Sequence, residues 1–193
     1  MRLRSNDVQW GAIAKLFHWG VALAIIGNGL FGLLMDLARS PMQKIGWLAV
    51  HKSIGLTVLA LVLLRLLWRG FDGRPLEESA PRWQRWSAHA VHVSLYLLAL
   101  ALPLSGWWFN SIAGKPLQWF KLFNLPPLAA ANDDLHRVAL AVHEYLFWLL
   151  LLVVLAHAGA ALKHHLADND NVLRRMLPFG RLHHGSTSKG ERS

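Results

Sequence analysis

Four stretches of this chain are apolar over lengths that cross a bilayer, and the polar residues gather between them. The first, Leu16 to Met35, has no charged residue in twenty positions. At about 1.5 Å rise per residue it matches a hydrocarbon layer of ~30 Å. A cleaved signal peptide is the alternative, since Arg2 and Arg4 precede the run. The run is too long for a signal core, however, and no small-residue cleavage site follows it. The second run spans about Trp47 to Trp68, with Lys52 and Arg65 near enough to its ends to snorkel. The third, about Ser87 to Phe109, contains Pro103, which predicts a kink repaired by neighbouring helices. The fourth, about Val138 to Leu162, is the most apolar. The pattern predicts an all-α, integral membrane, four-helix up-down bundle with spans at 16–35, 47–68, 87–109 and 138–162. It forms one domain over residues 1–180, followed by a polar, Gly/Ser-rich and disordered tail at 181–193.

Composition sharpens this picture. The chain is 54% hydrophobic and 16% charged, too apolar for an ordinary soluble domain. Of its ten Trp, Trp19, Trp47, Trp68, Trp83, Trp86, Trp107, Trp108 and Trp119 fall near the ends of the apolar runs, where indole favours the headgroup level. The net charge of +9 would suggest nucleic acid in a soluble protein. Here its distribution follows topology, and no nucleic-acid partner is expected. Fourteen of the twenty Lys and Arg lie at the N-terminus, between spans two and three, or after span four. The remaining six are Arg39, Lys44, Lys52, Lys115, Lys121 and Arg137. The positive-inside rule therefore puts both termini in the cytoplasm. The longest connection, residues 110–137, lies outside. Its PLQWFKLF stretch reads as a short interfacial helix, or as a lid over a site.

The absence of cysteine removes covalent c-type haem attachment, thiolate iron–sulfur clusters, disulfide exchange and Cys-based zinc sites. Histidine is the abundant metal-binding residue, with eleven copies. His18, His51, His143 and His157 stand inside the apolar spans, where a polar ring is expensive. His143 and His157 are fourteen residues apart, about four turns and ~21 Å on nearly one helix face. An antiparallel bundle puts His18 at the depth of His157 on the cytoplasmic side, and His51 at the depth of His143 on the outside. Each pair can supply two axial imidazoles to one iron, as a b-type haem held without covalent link requires. Structural zinc is the rival, but it needs four converging ligands and each depth offers two well-placed His.

Other residues carry two readings each. Gly20, Gly27, Gly29, Gly32 and Gly55 leave room for a flat macrocycle or make ordinary helix contacts. His92 approaches the level of His18 and His157; with His89 it reads as a contact to a propionate or a quinone, and His92 also as a competing ligand. Arg65, Arg69 and Lys163 read as propionate partners or as headgroup charge balance. Lys52, beside His51, steers a small anion or snorkels. His136, His164, His165, His183 and His184 fall at or beyond the interface, where solvation is the default.

These features together resemble the prokaryotic cytochrome b561 family, dihaem proteins of bacterial inner membranes. The matching residues are His18-Trp19, the H-x-S-x-G of His51, Ser53 and Gly55, and the RLLWR exit at Arg65–Arg69. The H-x-x-H of His89 and His92 is followed by Y-L-x-x-x-A-L-P-x-x-G from Tyr96 to Gly106, and His143-Glu144 opens span four. The A-H-x-x-A-A-L-x-H-H from Ala156 and D-N-x-L-R-R-M-L-P from Asp170 complete a likeness that covers about Lys15 to Pro178. Lys52 departs from the small or apolar residue of other members. The resemblance implies that His18/His157 and His51/His143 ligate two haem b groups. It also implies exchange of electrons with membrane quinone, one branch oxidising superoxide outside and reducing ubiquinone. Three functions follow as expectations: a superoxide:ubiquinone oxidoreductase, a haem-bearing anchor taking electrons from a hydrogenase or dehydrogenase, and a non-redox scaffold.

Overall fold

The computed structural model describes residues 2–76, 81–168 and 170–178; the expected tail at 181–193 lies outside them. Four long helices dominate: α1 (Ala12–Leu33), α2 (Pro41–Phe71), α3 (Arg82–Ile112) and α4 (Asp133–Leu166). All four are long and apolar enough to cross a membrane. A two-stranded antiparallel hairpin, β1 (Leu117–Trp119) and β2 (Phe123–Leu125), lies between α3 and α4, and a short α5 (Val172–Met176) follows. Helices α2 and α4 extend beyond the apolar runs because polar caps outside the runs start them. Ser40 Oγ accepts from the Gln43 N–H with Pro41 at the first position of α2, and Asn132 Oδ1 accepts from the N–H groups of Asp134 and Leu135. Asp133 and Asp134 in the first turn of α4, and Lys163, His164 and His165 in its last, suit the helix dipole.

The end of the bundle where residues 2–11 and 170–178 lie is tied together by hydrogen bonds to side-chain and backbone acceptors. Ser5 bonds Asp72 at the close of α2 through both its N–H and its hydroxyl, at 2.9 and 2.6 Å. Gly11 closes against this segment so tightly that a Cβ there would lie 2.4 Å from Leu3 O, so only glycine fits. Lys15 Nζ and Trp19 Nε1 donate to the carbonyls of Leu177 and Met176, which holds the C-terminal segment beneath α1. Trp107 likewise donates to Pro126 O at the opposite end.

The opposite end corrects one expectation. PLQWFKLF forms the β1–β2 hairpin, not an interfacial helix. Ser53 of α2 accepts from the Phe120 N–H at 2.9 Å, and Trp119 Nε1 donates to Thr57 Oγ1 at 3.0 Å. These tertiary bonds, with Trp119 packed against Phe120 and Phe123, hold Phe120 and Lys121 at positive φ and prevent a helical turn. α3 continues through Pro103 as one helix.

Helices α1 with α2, α2 with α3, and α3 with α4 approach closely, as an up-down order requires, whereas α1 and α4 hardly meet through their backbones. The central apolar cluster is Val21, Val58, Val62 and Ala99, with Ile25, Ile54 and Tyr96 among the residues around it. It draws on α1, α2 and α3, and α4 contributes nothing to it. The fourth helix packs on α3 without entering this cluster, and Tyr145, Trp148, Leu152 and Leu155 on it are exposed, as a lipid-facing surface would be.

Candidate functional site

Four histidines form two ring pairs that bring α4 against α1 and α2. The ring centres of His18 on α1 and His157 on α4 are 6.3 Å apart, with planes at 67°. At the hairpin end, His51 on α2 and His143 on α4 are also 6.3 Å apart, at 86°. The depth argument from sequence foresees both pairings, and all four rings are half-buried. Two opposed imidazole nitrogens, each ~2 Å from a shared metal ion and roughly 1.1 Å from their own ring centres, would put those centres about 6.2 Å apart. Both pairs therefore have the spacing of a bis-imidazole site.

Two glycines shape the hairpin-end pair. A Cβ at Gly32 would lie 3.1 Å from His51 Cε1, and one at Gly106 would lie 3.0 Å from His143 Cε1. Gly29 faces Phe147, Gly55 has only Asn28 near it, and Gly20 and Gly27 face open space. Gly106 enters the sequence reading only as the last residue of a family motif, and Ser105 not at all; the signal for both was the P-x-S-G segment that begins at Pro103. Ser105 Oγ is 2.9 Å from His143 Nδ1 and 2.7 Å from Leu102 O.

At the termini end, Arg65 Nη2 lies 3.2 Å from His18 Nδ1. The guanidiniums of Arg65 and Arg69 stand 5.3 and 5.7 Å from the centre of the Tyr96 ring. Trp68 Nε1 is buried with no hydrogen-bond partner among the described residues, a donor awaiting an acceptor such as a carboxylate. His92 is exposed, with its ring 5.4 Å from that of His157, and His89 is exposed as well. Lys163 instead pairs with Asp168 at 2.8 Å, and its hydrogen bond holds the Asp168 carboxyl below the ordinary carboxylate range. Lys52 Nζ donates to Asn110 Oδ1, and Asn110 Nδ2 donates to Lys115 O.

Among the described residues, the grouping of three metal-binding side chains lies away from both pairs, at His164, Asp168 and Asp170. Its atoms already serve one another: His164 Nδ1 is 2.7 Å from Asp170 Oδ2, and Asp170 Oδ1 accepts from the Val172 N–H. His164 is therefore part of the network that ends α4, not a solvated side chain. Among the described residues, neither histidine pair gathers the third and fourth ligands that structural zinc requires. Paired imidazoles at two depths, with cations and a buried donor beside one pair, fit a flat, carboxylate-bearing macrocycle.

Comparison with known proteins agrees with this chemistry. The family model described as prokaryotic cytochrome b561 matches residues 9–179. Cytochrome b561 homolog 2 of Escherichia coli (strain K12) is 33% identical over 183 residues, covering 92% of this chain and 95% of the relative. Cytochrome b561 homolog 1 of the same organism is 35% identical over 159 residues, 76% and 89% of the two chains. The probable superoxide oxidase CybB of Yersinia pestis is 32% identical over 163 residues, 83% and 91%.

Proposed function

This chain belongs to the prokaryotic cytochrome b561 family, a family of haem b proteins, and from that premise we propose that it holds two haems and carries electrons through the bilayer to quinone. His18 and His157 would hold one haem, His51 and His143 the other. The two opposed imidazole pairs, each with 6.3 Å between ring centres, carry this reading. The distribution of Lys and Arg supports a bacterial inner-membrane location with both termini in the cytoplasm, so electrons would enter at the hairpin end.

Haem b supplies one-electron exchange between ferric and ferrous iron. The chain supplies position and field. The helices fix the imidazoles at two depths, the four-turn spacing of His143 and His157 on α4 sets the distance between sites, and the lipid-facing side chains exclude water. Arg65, Arg69 and the Trp68 N–H offer charge and hydrogen bonding to propionates at the termini end. His89 and His92 lie on the same side of the bundle, where the quinone headgroup, ubiquinone by the family likeness, would find donors.

Superoxide is the donor favoured by the likeness to the probable superoxide oxidase and by Lys52, a cation adjacent to His51 in sequence and held in place by Asn110. A second reading rests on exposed Phe120, Leu122 and Phe123 at the hairpin tip, an apolar surface suited to docking a partner dehydrogenase or hydrogenase subunit. The pyridine haemochrome assay tests the core of the proposal. It should give two haems per chain, and one haem per chain would remove a histidine pair from the ligand set.

A further inference from the structure

Depth in the bilayer carries over from one helix to another through a ring pair. His51 on α2 lies level with His143 on α4, their ring centres 6.3 Å apart. On α4 the eighteen residues from Tyr145 to Leu162 hold no Lys, Arg, Asp or Glu, and Glu144 and Lys163 bound them. At about 1.5 Å per residue they span ~27 Å, close to a hydrocarbon layer of ~30 Å. Both helices run from the hairpin end towards the opposite end. The hydrocarbon therefore begins two residues beyond His143 on α4 and two residues beyond His51 on α2, at Ser53.

The β1–β2 hairpin is bonded to α2 at this level and below it. The Phe120 N–H donates to Ser53 Oγ, and Trp119 Nε1 donates to Thr57 Oγ1. Thr57 is about one turn further along α2, ~6 Å deeper than Ser53. The Trp119 indole thus reaches past the level where the lipid chains begin.

The strand register divides the hairpin into two faces. Leu117 pairs with Leu125 and Trp119 with Phe123, so these four share one face, and the pair Gln118 and Asn124 lies on the other. α2 covers only part of the apolar face. Leu117 is buried, whereas Phe123 is 55% exposed with its ring 5.4 Å from that of Trp119. Phe120 and Leu122 in the turn are exposed as well. Lys121 carries the one charge between Pro116 and Leu128, on a stem long enough to reach the headgroups. The polar face and the open edge of a two-stranded sheet need water, so the hairpin does not sink into the hydrocarbon. Its uncovered aromatic and aliphatic side chains are stabilised by leaving water. Both demands are met at the boundary. A soluble partner arriving from the water would meet Gln118 and Asn124 instead of the apolar face.

We propose that the β1–β2 hairpin is a membrane anchor lying along this boundary, with Phe120, Leu122 and Phe123 among the acyl chains and Gln118 and Asn124 towards water. The partner of this surface is phospholipid and not a protein subunit. The inference rests on the four spans and is independent of the haem reading.

The chain has no cysteine, so a single introduced one takes the only spin label. Leu122→Cys and Phe123→Cys holoproteins, nitroxide-labelled and reconstituted alone into phosphatidylcholine vesicles, are compared by EPR power saturation with oxygen and with a water-soluble nickel chelate. Leu152→Cys on the exposed side of α4 and Arg39→Cys outside the apolar runs are the references. The ratio of oxygen to nickel collisions at both hairpin positions should be several-fold above that at Arg39→Cys and approach that at Leu152→Cys. A ratio equal to that at Arg39→Cys overturns the proposal and leaves the surface to a soluble partner. Low collision rates with both reagents, as when a second copy covers the hairpin, overturn it too. The unsubstituted chain gives a check that does not depend on how the variants fold. In vesicles of phospholipid carrying an acyl-chain diazirine, photolysis should attach lipid to residues 116–128 as well as to α4. Adducts on α4 with none on 116–128 overturn the proposal.

Discussion

Lys52 donates to Asn110, a buried side chain fifty-eight residues away near the end of α3, and so stays within the protein beside His51. A lysine free to snorkel would take its charge to the headgroups. This one is tethered, so its field acts near the His51/His143 pair. If superoxide is the donor, Lys52→Gln should slow its reaction several-fold at low ionic strength and less at high, where salt screens the field. Quinol-driven reduction should not change. Stopped-flow spectrophotometry of both reactions checks this, and equal superoxide rates in wild type and variant at low salt exclude steering by Lys52.

Gly106→Val and Gly32→Val should each lower haem occupancy of the His51/His143 site. A side chain at either position meets an imidazole carbon at 3.0 or 3.1 Å and must turn the ring. Gly27→Val, with open space in front of it, should leave occupancy unchanged. Haem-to-protein ratios of the three purified variants test the contrast, and equal losses in all three would point to general helix destabilisation.

Loss of a ligand should follow the pairs. His18→Ala and His157→Ala should remove one spectral component, and His51→Ala and His143→Ala the other. His92→Ala should weaken the first component without unligating its iron. Low-temperature optical and EPR spectra distinguish a lost ligand from a perturbed one, and a five-coordinate iron in His92→Ala would make His92 a ligand.

Ser53→Ala should loosen the hairpin. Ser53 Oγ takes the Phe120 N–H in a turn that also holds Phe120 and Lys121 at positive φ. Losing one such hydrogen bond costs about 0.5–1.5 kcal/mol. Proteolysis or hydrogen exchange at residues 117–125 should rise while exchange at the centre of α4 does not.

Lys163→Gln should leave both haem components in place, because Lys163 is engaged by Asp168 at an exposed position. Asp168 titrates below its ordinary 3.8, so the pair is intact above that pH and is lost only as the pH falls below it. Optical spectra of the variant between pH 5 and 8 should match wild type, and loss of a component would restore Lys163 to the haem site.

The sequence by itself determined what one helix can encode. Charge-free runs of membrane length gave four spans, and fourteen-residue spacing put His143 and His157 on one face. Because successive spans must run in opposite directions, depth alone paired His157 with His18 and His143 with His51. Only the tertiary structure decided what depends on a neighbouring chain segment. PLQWFKLF has a helical look until Ser53 and Thr57 of α2 claim its backbone and its indole. Lys52 reads as a snorkelling cation until Asn110 on another helix holds it. Ser105 is an ordinary helix serine until α4 brings the His143 ring within hydrogen-bond reach. Periodicity records which face of a helix a residue occupies, whereas hydrogen bonds are made at about 3 Å, a distance fixed by how separate helices pack.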